Sequence, residues 1–480
     1  MIALYILLGL VGLILLLLLV AVLRTLFMPS KKTVYQPSTD NARIDEYANK
    51  LSRMVQCETV SERGNTDLTK FYAFHKLMEE LFPTVFATCE KTDLDGNLIL
   101  KWSGRSDKDP ILLMSHMDVV EASGDWKYPH FSGAVAEGRV WGRGSADTKC
   151  SLMAFYQAAE ELIKDGYTPE CDVYLVSSCT EEIGGSGGPA ICNWLKEHGI
   201  KLYMLCDEGG SIIRDPIGGI NGHFAAVGIF EKGYGDIKFT ARSNGGHASA
   251  PKKNTPIARL SKFVASVEKK YPFKSKFSPA VSGMFSTLAP YAGFPLKLVL
   301  GNQWLFRPLL KLVMPMISAQ AAAMLRTTIA FTMQSGSQGY NVIPQEATLC
   351  ANMRYIPHQG TDESIDIITE RAKQFDIETE VIYRGYPSKS LDLSGEQYAC
   401  VKKCINEVFP GIGVMPYVVT GATDARFYGE VCDACVRFSP VLYGPEQLAG
   451  MHGLNENIDA DCLPPAVDYY KEIIRSQIRK

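Results

Sequence analysis

The chain has 480 residues, 46% of them hydrophobic and 21% charged, and a formal net charge of -3. This is a globular composition with length for two or three domains, and the near-neutral charge excludes the polycationic signature of a nucleic-acid binder. Thirteen cysteines, an odd number scattered from Cys57 to Cys462, do not read as a disulfide framework, and no Asn-x-Ser/Thr acceptor with a non-proline middle residue occurs.

Residues 2–23 form a run of 22 uncharged, mostly aliphatic residues. At 1.5 Å per residue the run spans roughly 33 Å, enough to cross a hydrocarbon core of about 30 Å. It lacks the basic start, short apolar core and small-residue cleavage site of a secretory signal, so it reads as an uncleaved single-pass anchor. Arg24, Lys31 and Lys32 come after it and no Lys or Arg precedes it, which favours the cytoplasmic over the external face for the body of the protein. Residues 29–41 are polar, contain two prolines and read as a tether.

Helical spacing is present at 43–60 and 68–81. Strands are expected at 97–102 and 111–114, an amphipathic helix at 150–164, a strand at 171–178, a helix at 189–198 opening on Pro189, and a strand at 202–206. Strands alternating with helices imply an α/β fold on a mainly parallel mixed sheet covered on both faces. From about Ala226 the texture changes. Strand 234–242, helix 256–270, strand 346–356, helix 363–375 and strand 377–383 make a compact α+β unit inserted into the first sheet. Within it, 278–332 is unusually apolar, and reads as core-packing helices, as a wall for a greasy substrate, or as a surface lying on the bilayer. After Pro387 the first domain resumes, with helices at 396–408 and 464–478. The expected divisions are therefore an anchor at 1–28, a tether at 29–41, a main domain at 42–225 and 388–480, and an inserted domain at 226–387.

Residues that carry chemistry sit just past the strand ends, where open α/β sheets bind ligands. His116-x-Asp118 comes after 111–114, the pair Glu181-Glu182 after 171–178, Asp207-Glu208-Gly209 after 202–206, and Asp147 lies in the loop before helix 150–164. Adjacent carboxylates are costly to bury unless cations or protons compensate. Imidazole and carboxylate donors without thiolate suit zinc, manganese or cobalt. Cys150 reads as a small packed residue, and Cys432-x-x-Cys435 stands alone, short of a four-cysteine zinc site.

Together with Gly142-Arg143-Gly144-x-x-Asp147-x-Lys149, Gly246-His247-x-Ser249, Asn341-Val342-Ile343-Pro344, Gly421-x-Thr423-Asp424-x-Arg426 and His452, these motifs resemble one family from about residue 40 onward. It is the di-zinc peptidase family of carboxypeptidase S, aminoacylase and succinyl-diaminopimelate desuccinylase, and within it the carboxypeptidase S and N-fatty-acyl-amino-acid hydrolase branch. The resemblance implies a zinc-peptidase catalytic domain, an inserted lid or dimerisation domain, and two divalent ions, zinc with manganese or cobalt as alternatives. His116 and Glu208 (or its neighbour Asp207) would hold one ion, Glu182 and His452 the other, and Asp147 would bridge them. Asp118 would accept a hydrogen bond from the His116 ring, Glu181 would be the general base, and His247 would stabilise the oxyanion, often from the second subunit of a homodimer. Asn341, Arg354, Gly421, Thr423, Asp424 and Arg426 would grip the substrate carboxylate. The implied activity is cleavage of an amide next to a free amino-acid carboxylate, in short peptides or N-acyl amino acids. Hydrolysis or condensation of N-fatty-acyl amino acids is the alternative, and a non-catalytic membrane-tethered binding protein is the reading from another class.

Overall fold

A computed structural model of the chain describes residues 1–477. The continuous apolar runs become the middle of a ten-stranded sheet, where Val173–Ser178, Ile111–His116, Met204–Asp207 and Cys435–Arg437 lie side by side and parallel. Strands covered on both faces cannot alternate, and every residue of the first two is buried. Asn97–Trp102 and Glu90–Leu94 extend this centre antiparallel on one side. On the other, Cys435–Arg437 meets His223–Glu231 antiparallel, and Ser211–Arg214, Gly413–Val419 and Leu442–Tyr443 complete the sheet. The sheet is mixed, with a parallel heart.

Helices cover both faces. Lys149–Lys164 packs between Asn41–Val55 and Leu463–Arg475 on one face, while Ile191, Cys192 and Leu195 of Gly187–Glu197 meet Leu112 and Met114 on the other. Helix Asn41–Val55 begins where the Asp40 carboxylate accepts from Arg43 N, an N-cap. It stops at Val55, short of the expected 60, because Val60 turns away to bridge Val119. The carbonyls left by that ending, Met54 and Cys57, are taken by the buried Lys149 ammonium at 3.1 and 2.9 Å. Of the expected last helix, Ile478 lies outside the described residues.

A second, antiparallel sheet, ordered Thr328–Ser335, Glu346–Tyr355, Gly233–Arg242, Glu378–Arg384, has its own core with Pro256–Lys269 and Thr361–Lys373. The expected boundary at 226 falls inside strand His223–Glu231, which belongs to the large sheet; the chain leaves it at Lys232. The apolar stretch also departs from expectation. Its helices Pro279–Leu288, Phe294–Gly301, Gln303–Ile317 and Ala319–Leu325 send Val281, Met284, Phe285, Leu288, Leu300 and Leu325 into the core of the large sheet, not of the small one.

Helix Ile2–Phe27 is long and apolar enough to cross a membrane. The segment after this helix is no free tether. Lys31 N donates to Pro290 O at 2.9 Å, Val34 N to Gly411 O at 3.2 Å and Ser38 N to Asp461 O at 3.1 Å, and the Tyr35 ring stacks on Phe409. The prolines suggested a spacer, but these three backbone bonds and the ring contact fasten the segment to the body.

Candidate metal centre

Parallel register brings the strand ends to one edge. His116, the last residue of its strand, pairs with Ser178, and Leu113 with Cys206, so Glu181-Glu182 and Glu208 emerge beside the imidazole. Nε2 of His116 lies 3.2 Å from Asp147 Oδ1 and 3.4 Å from Glu208 Oε1. Nε2 of His452 lies 3.2 Å from Asp147 Oδ2 and 3.0 Å from Glu182 Oε2. In each of the two triads, one donor atom per residue falls within 4.8 Å of the others, and Asp147 belongs to both through different oxygens. His452 reaches its triad from a backbone at φ 53°, just past helix Pro445–Gly450.

Of the neighbours Asp207 and Glu208, the second faces the cluster. The Asp207 carboxylate turns the other way and accepts from Ala425 N at 2.9 Å. Asp118 differs from expectation. The His116 Nδ1 contact at 2.9 Å is with the Asp118 backbone carbonyl, with the carboxylate at 3.5 Å. That carbonyl bond still sets the tautomer that leaves Nε2 free to ligate. The carboxylate accepts instead from Glu181 N and Glu182 N, both at 3.2 Å, and so positions the glutamate pair.

Burial pushes the Glu208 carboxyl up to about 8. Burial, then the Glu208 charge, push Glu181 well above the carboxylate range, and burial raises Glu182. Asp147 goes the other way: burial opposes its ionisation, but the His116 and His452 imidazoles outweigh that and hold it low. A cluster this acidic needs compensating positive charge. Buried Glu182 Oε1 has no hydrogen-bond partner, and the donors are hard oxygens and imidazoles, so the residues fit two divalent cations that share Asp147.

Glu456 supports the site without any motif to mark it. Fully buried and four residues past His452, it takes Gly144 N, Ala146 N and Asp147 N on Oε1 at 3.0, 2.9 and 3.0 Å, and Arg143 Nη1 on Oε2 at 2.6 Å. It therefore holds the loop that presents Asp147. A buried acid that ligates nothing has no spacing signature. Buried Glu231 plays a similar part elsewhere, pairing with Arg437 and accepting from Thr423 N at 2.7 Å and Thr423 Oγ1 at 2.9 Å.

The cluster opens on a cleft of about 270 Å³, lined by Asp147, Glu181, Glu182, Glu208 and His452 on one side and by Tyr417, Thr420, Gly421 and Thr423 on the other. A larger depression, about 980 Å³ around Lys101, Asp172 and His198, lies near the amino ends of the strands and holds neither triad. Gly421 lines the cleft. Thr423 also lines the cleft, with its hydroxyl donating to Glu231, whereas Asp424 is buried and outside the cleft lining. Arg354 is half-buried over the Tyr234 ring at 4.7 Å. Burial lowers its pKa, and the positive charge of Arg426 lowers it further. His247 and Asn341 sit apart, exposed on the two-stranded ribbon Gly246–His247 and Val342–Ile343, where Ala248 N donates to Asn341 O at 2.9 Å. His247 Nδ1 contacts Ser249 Oγ at 2.8 Å, and neither residue lines the cleft of its own chain.

A mixed α/β sheet that gathers two carboxylate–imidazole triads around a shared aspartate defines a metallohydrolase. Residues 112–476 match the Peptidase family M20/M25/M40, and the chain belongs to this metallopeptidase family. It is 32% identical over 486 residues to an N-fatty-acyl-amino acid synthase/hydrolase of Xenopus tropicalis, covering 97% of this chain and 94% of that protein. It is 27% identical to carboxypeptidase S of Saccharomyces cerevisiae, over 92% of this chain and 85% of that one. In fold it is similar to an M20 family metallo-carboxypeptidase of Sulfolobus solfataricus, with TM-score 0.66 and 16% identity over 90% of this chain and 98% of that one. It is also similar to a dinuclear metal binding peptidase of Bacillus subtilis, with TM-score 0.56 and 13% identity over 91% and 98%.

Proposed function

We propose that the protein hydrolyses an amide bond adjacent to a free amino-acid carboxylate, with His116, Asp147 and Glu208 holding one divalent ion and Glu182, Asp147 and His452 a second. Zinc suits the donor set, with manganese or cobalt as substitutes. The observation that carries the reading is the division of the Glu181–Glu182 pair: Glu182 belongs to a triad, while Glu181 lines the same cleft outside both triads. Bound cations there supply Lewis acidity, acidifying water and polarising a carbonyl. Glu181 then takes the proton of the attacking water and delivers it to the leaving nitrogen. Arg354 and Arg426 are proposed to grip the substrate carboxylate by paired charge-assisted hydrogen bonds. His247, exposed and remote from the cleft of its own chain, is proposed to serve the oxyanion of a partner copy in a homodimer. The family supports amide cleavage itself, and Arg426, whose Nη1 donates to the carbonyl of cleft-lining Thr423 at 3.1 Å, supports the free carboxylate.

A specific observation favours lipidic acyl groups among the possible substrates. Gln320, at the start of the apolar helix Ala319–Leu325, donates from Nε2 to Tyr417 Oη at 3.0 Å, and Tyr417 lines the cleft. The relatives named as N-fatty-acyl-amino acid synthase/hydrolases point the same way. Ile2–Phe27 is proposed as a membrane anchor, with the flanking Arg24, Lys31 and Lys32 favouring a cytoplasmic body.

The test is Glu181→Gln in the full chain. It is expected to retain two metal ions per chain and to lose turnover by about 10³-fold, within the range of a missing general base. Turnover within tenfold of wild type, on a panel of acetyl, dipeptide and long-chain acyl substrates, would defeat the assignment. The same panel ranks the acyl groups.

A further inference from the structure

Helix Gln303–Ile317 carries apolar side chains with little to cover them. Among its residues Gln303 and Met314 are buried, whereas Leu309, Leu312, Met316 and Ile317 are 53%, 67%, 80% and 74% exposed. A soluble surface does not usually expose so many large apolar side chains along one helix. The neighbouring architecture says what covers them.

Helix Ile2–Phe27 is bolted to the start of this helix. Fully buried Asn302 donates from Nδ2 to Ala21 O at 3.2 Å and to Thr25 Oγ1 at 2.9 Å. Next to it, Gly301 packs so closely on Met28 that a Cβ there would lie 2.5 Å from Met28 Cε. Lys297 Nζ donates to Ser30 Oγ at 2.6 Å. Backbone bonds from Lys31, Val34 and Ser38 fasten the next segment to the body, so the first helix has a set direction relative to it. The stretch of that helix which projects free of the body, residues 2–20, is about 28 Å long, close to the hydrocarbon thickness of about 30 Å. When it spans a membrane, the near edge of the hydrocarbon falls at Ala21–Thr25, the level at which Asn302 holds it. Gln303–Ile317 starts at that level.

We propose that Gln303–Ile317 lies along the bilayer surface beside the spanning helix, with Leu309, Leu312, Met316 and Ile317 immersed among the lipid acyl chains. Interfacial helices bind in this way, with an apolar face sunk at the acyl boundary. Trp304, at the start of the helix and 45% exposed, stands where interfacial tryptophans collect. The helix leads into Ala319–Leu325 and its Gln320, so the cleft wall adjoins the membrane and an acyl chain reaches it from the lipid. The proposal rests on membrane anchoring by Ile2–Phe27 and is independent of the reaction.

Trp304 makes the test direct, because the other four tryptophans, Trp102, Trp126, Trp141 and Trp194, belong to the body. The full chain is reconstituted in liposomes of phosphatidylcholine with brominated or ordinary acyl chains, and tryptophan emission is compared. Brominated lipid is expected to quench the wild type and to leave Trp304→Phe unquenched. Adding Leu312→Trp to Trp304→Phe is expected to restore quenching. Wild-type emission equal in the two lipids overturns the proposal, as does an unquenched Leu312→Trp in liposomes that retain the protein on flotation. Protein that fails to float with liposomes overturns the anchoring together with it. A dimer in detergent that Met316→Glu dissociates, without bromine quenching, assigns the face to a second copy and overturns it as well.

Discussion

Glu456 offers the most stringent check on how the site is built. Its carboxylate is fully buried and accepts three backbone N–H groups of the Asp147 loop as well as the buried Arg143 guanidinium. In Glu456→Ala those four donors lose their acceptor, and Arg143, 2% exposed, keeps a charge it cannot hydrate. Removing one partner of a buried pair costs about 3–5 kcal/mol, so a loss of about 4 kcal/mol is expected. Glu456→Gln retains a carbonyl oxygen for the three N–H groups but presents an amide to Arg143, and a loss of about 2 kcal/mol is expected, the cost of one charge-assisted bond. Asp147 N is among the released donors, so metal affinity should fall by about 10–100-fold in Glu456→Ala, as for other groups that orient a ligand. Denaturant unfolding of the full chain in detergent, followed by tryptophan emission, measures the first effect, and competition with a chelator measures the second. A Glu456→Ala protein within about 1 kcal/mol of wild type and with unchanged metal affinity would refute the reasoning.

Three further outcomes are expected. His452→Ala should leave one metal ion per chain by elemental analysis and lower turnover by about 100-fold or more, with little loss of stability because the side chain is 56% exposed; two ions retained would remove His452 from the ligand set. Arg354→Ala should raise KM for substrates with a free carboxylate by roughly 10–100-fold, the loss of one charge-assisted bond, and leave the corresponding amides unaffected; equal effects on both would place Arg354 outside carboxylate recognition. Lys232, buried with Nζ donating to Ala323 O and Arg326 O at 3.1 and 2.9 Å, is pushed down to about 7 by burial and by Arg354 and Arg326. Between that value and the ordinary lysine value near 10.4 the unfolded chain binds more protons, so this site adds stability as pH rises from about 7 towards 10. Comparing the unfolding free energies of wild type and Lys232→Met across that range should show the difference growing in favour of wild type, and a flat difference would contradict it.

The amino-acid sequence alone determined the alternation of strands and helices, the carboxylates and imidazoles beyond the strand ends, and the membrane-length helix, because each is a local pattern of polarity and spacing. The parallel heart of the sheet was legible for that reason, whereas the grouping of His116, Asp147, Glu182, Glu208 and His452 into two sets was implied by the family resemblance. Tertiary structure alone decided which of Asp207 and Glu208 turns to the cluster, since neighbours on a strand face opposite ways and only the packing says which way is inward. It also decided that the Thr423 hydroxyl donates to Glu231, that Asp424 lies outside the cleft lining, that the apolar helices join the large core, and that the chain after the first helix is fastened to the body. Glu456 was invisible for the same reason: its partners are backbone N–H groups, which every residue but proline carries, and 309 positions separate it from Asp147. The pair Glu181-Glu182 shows both levels at once. Sequence marked it as a charge problem, and folding divided it, with Glu182 beside His452 and Asp147 and Glu181 left on the cleft wall, through two backbone donors held by Asp118.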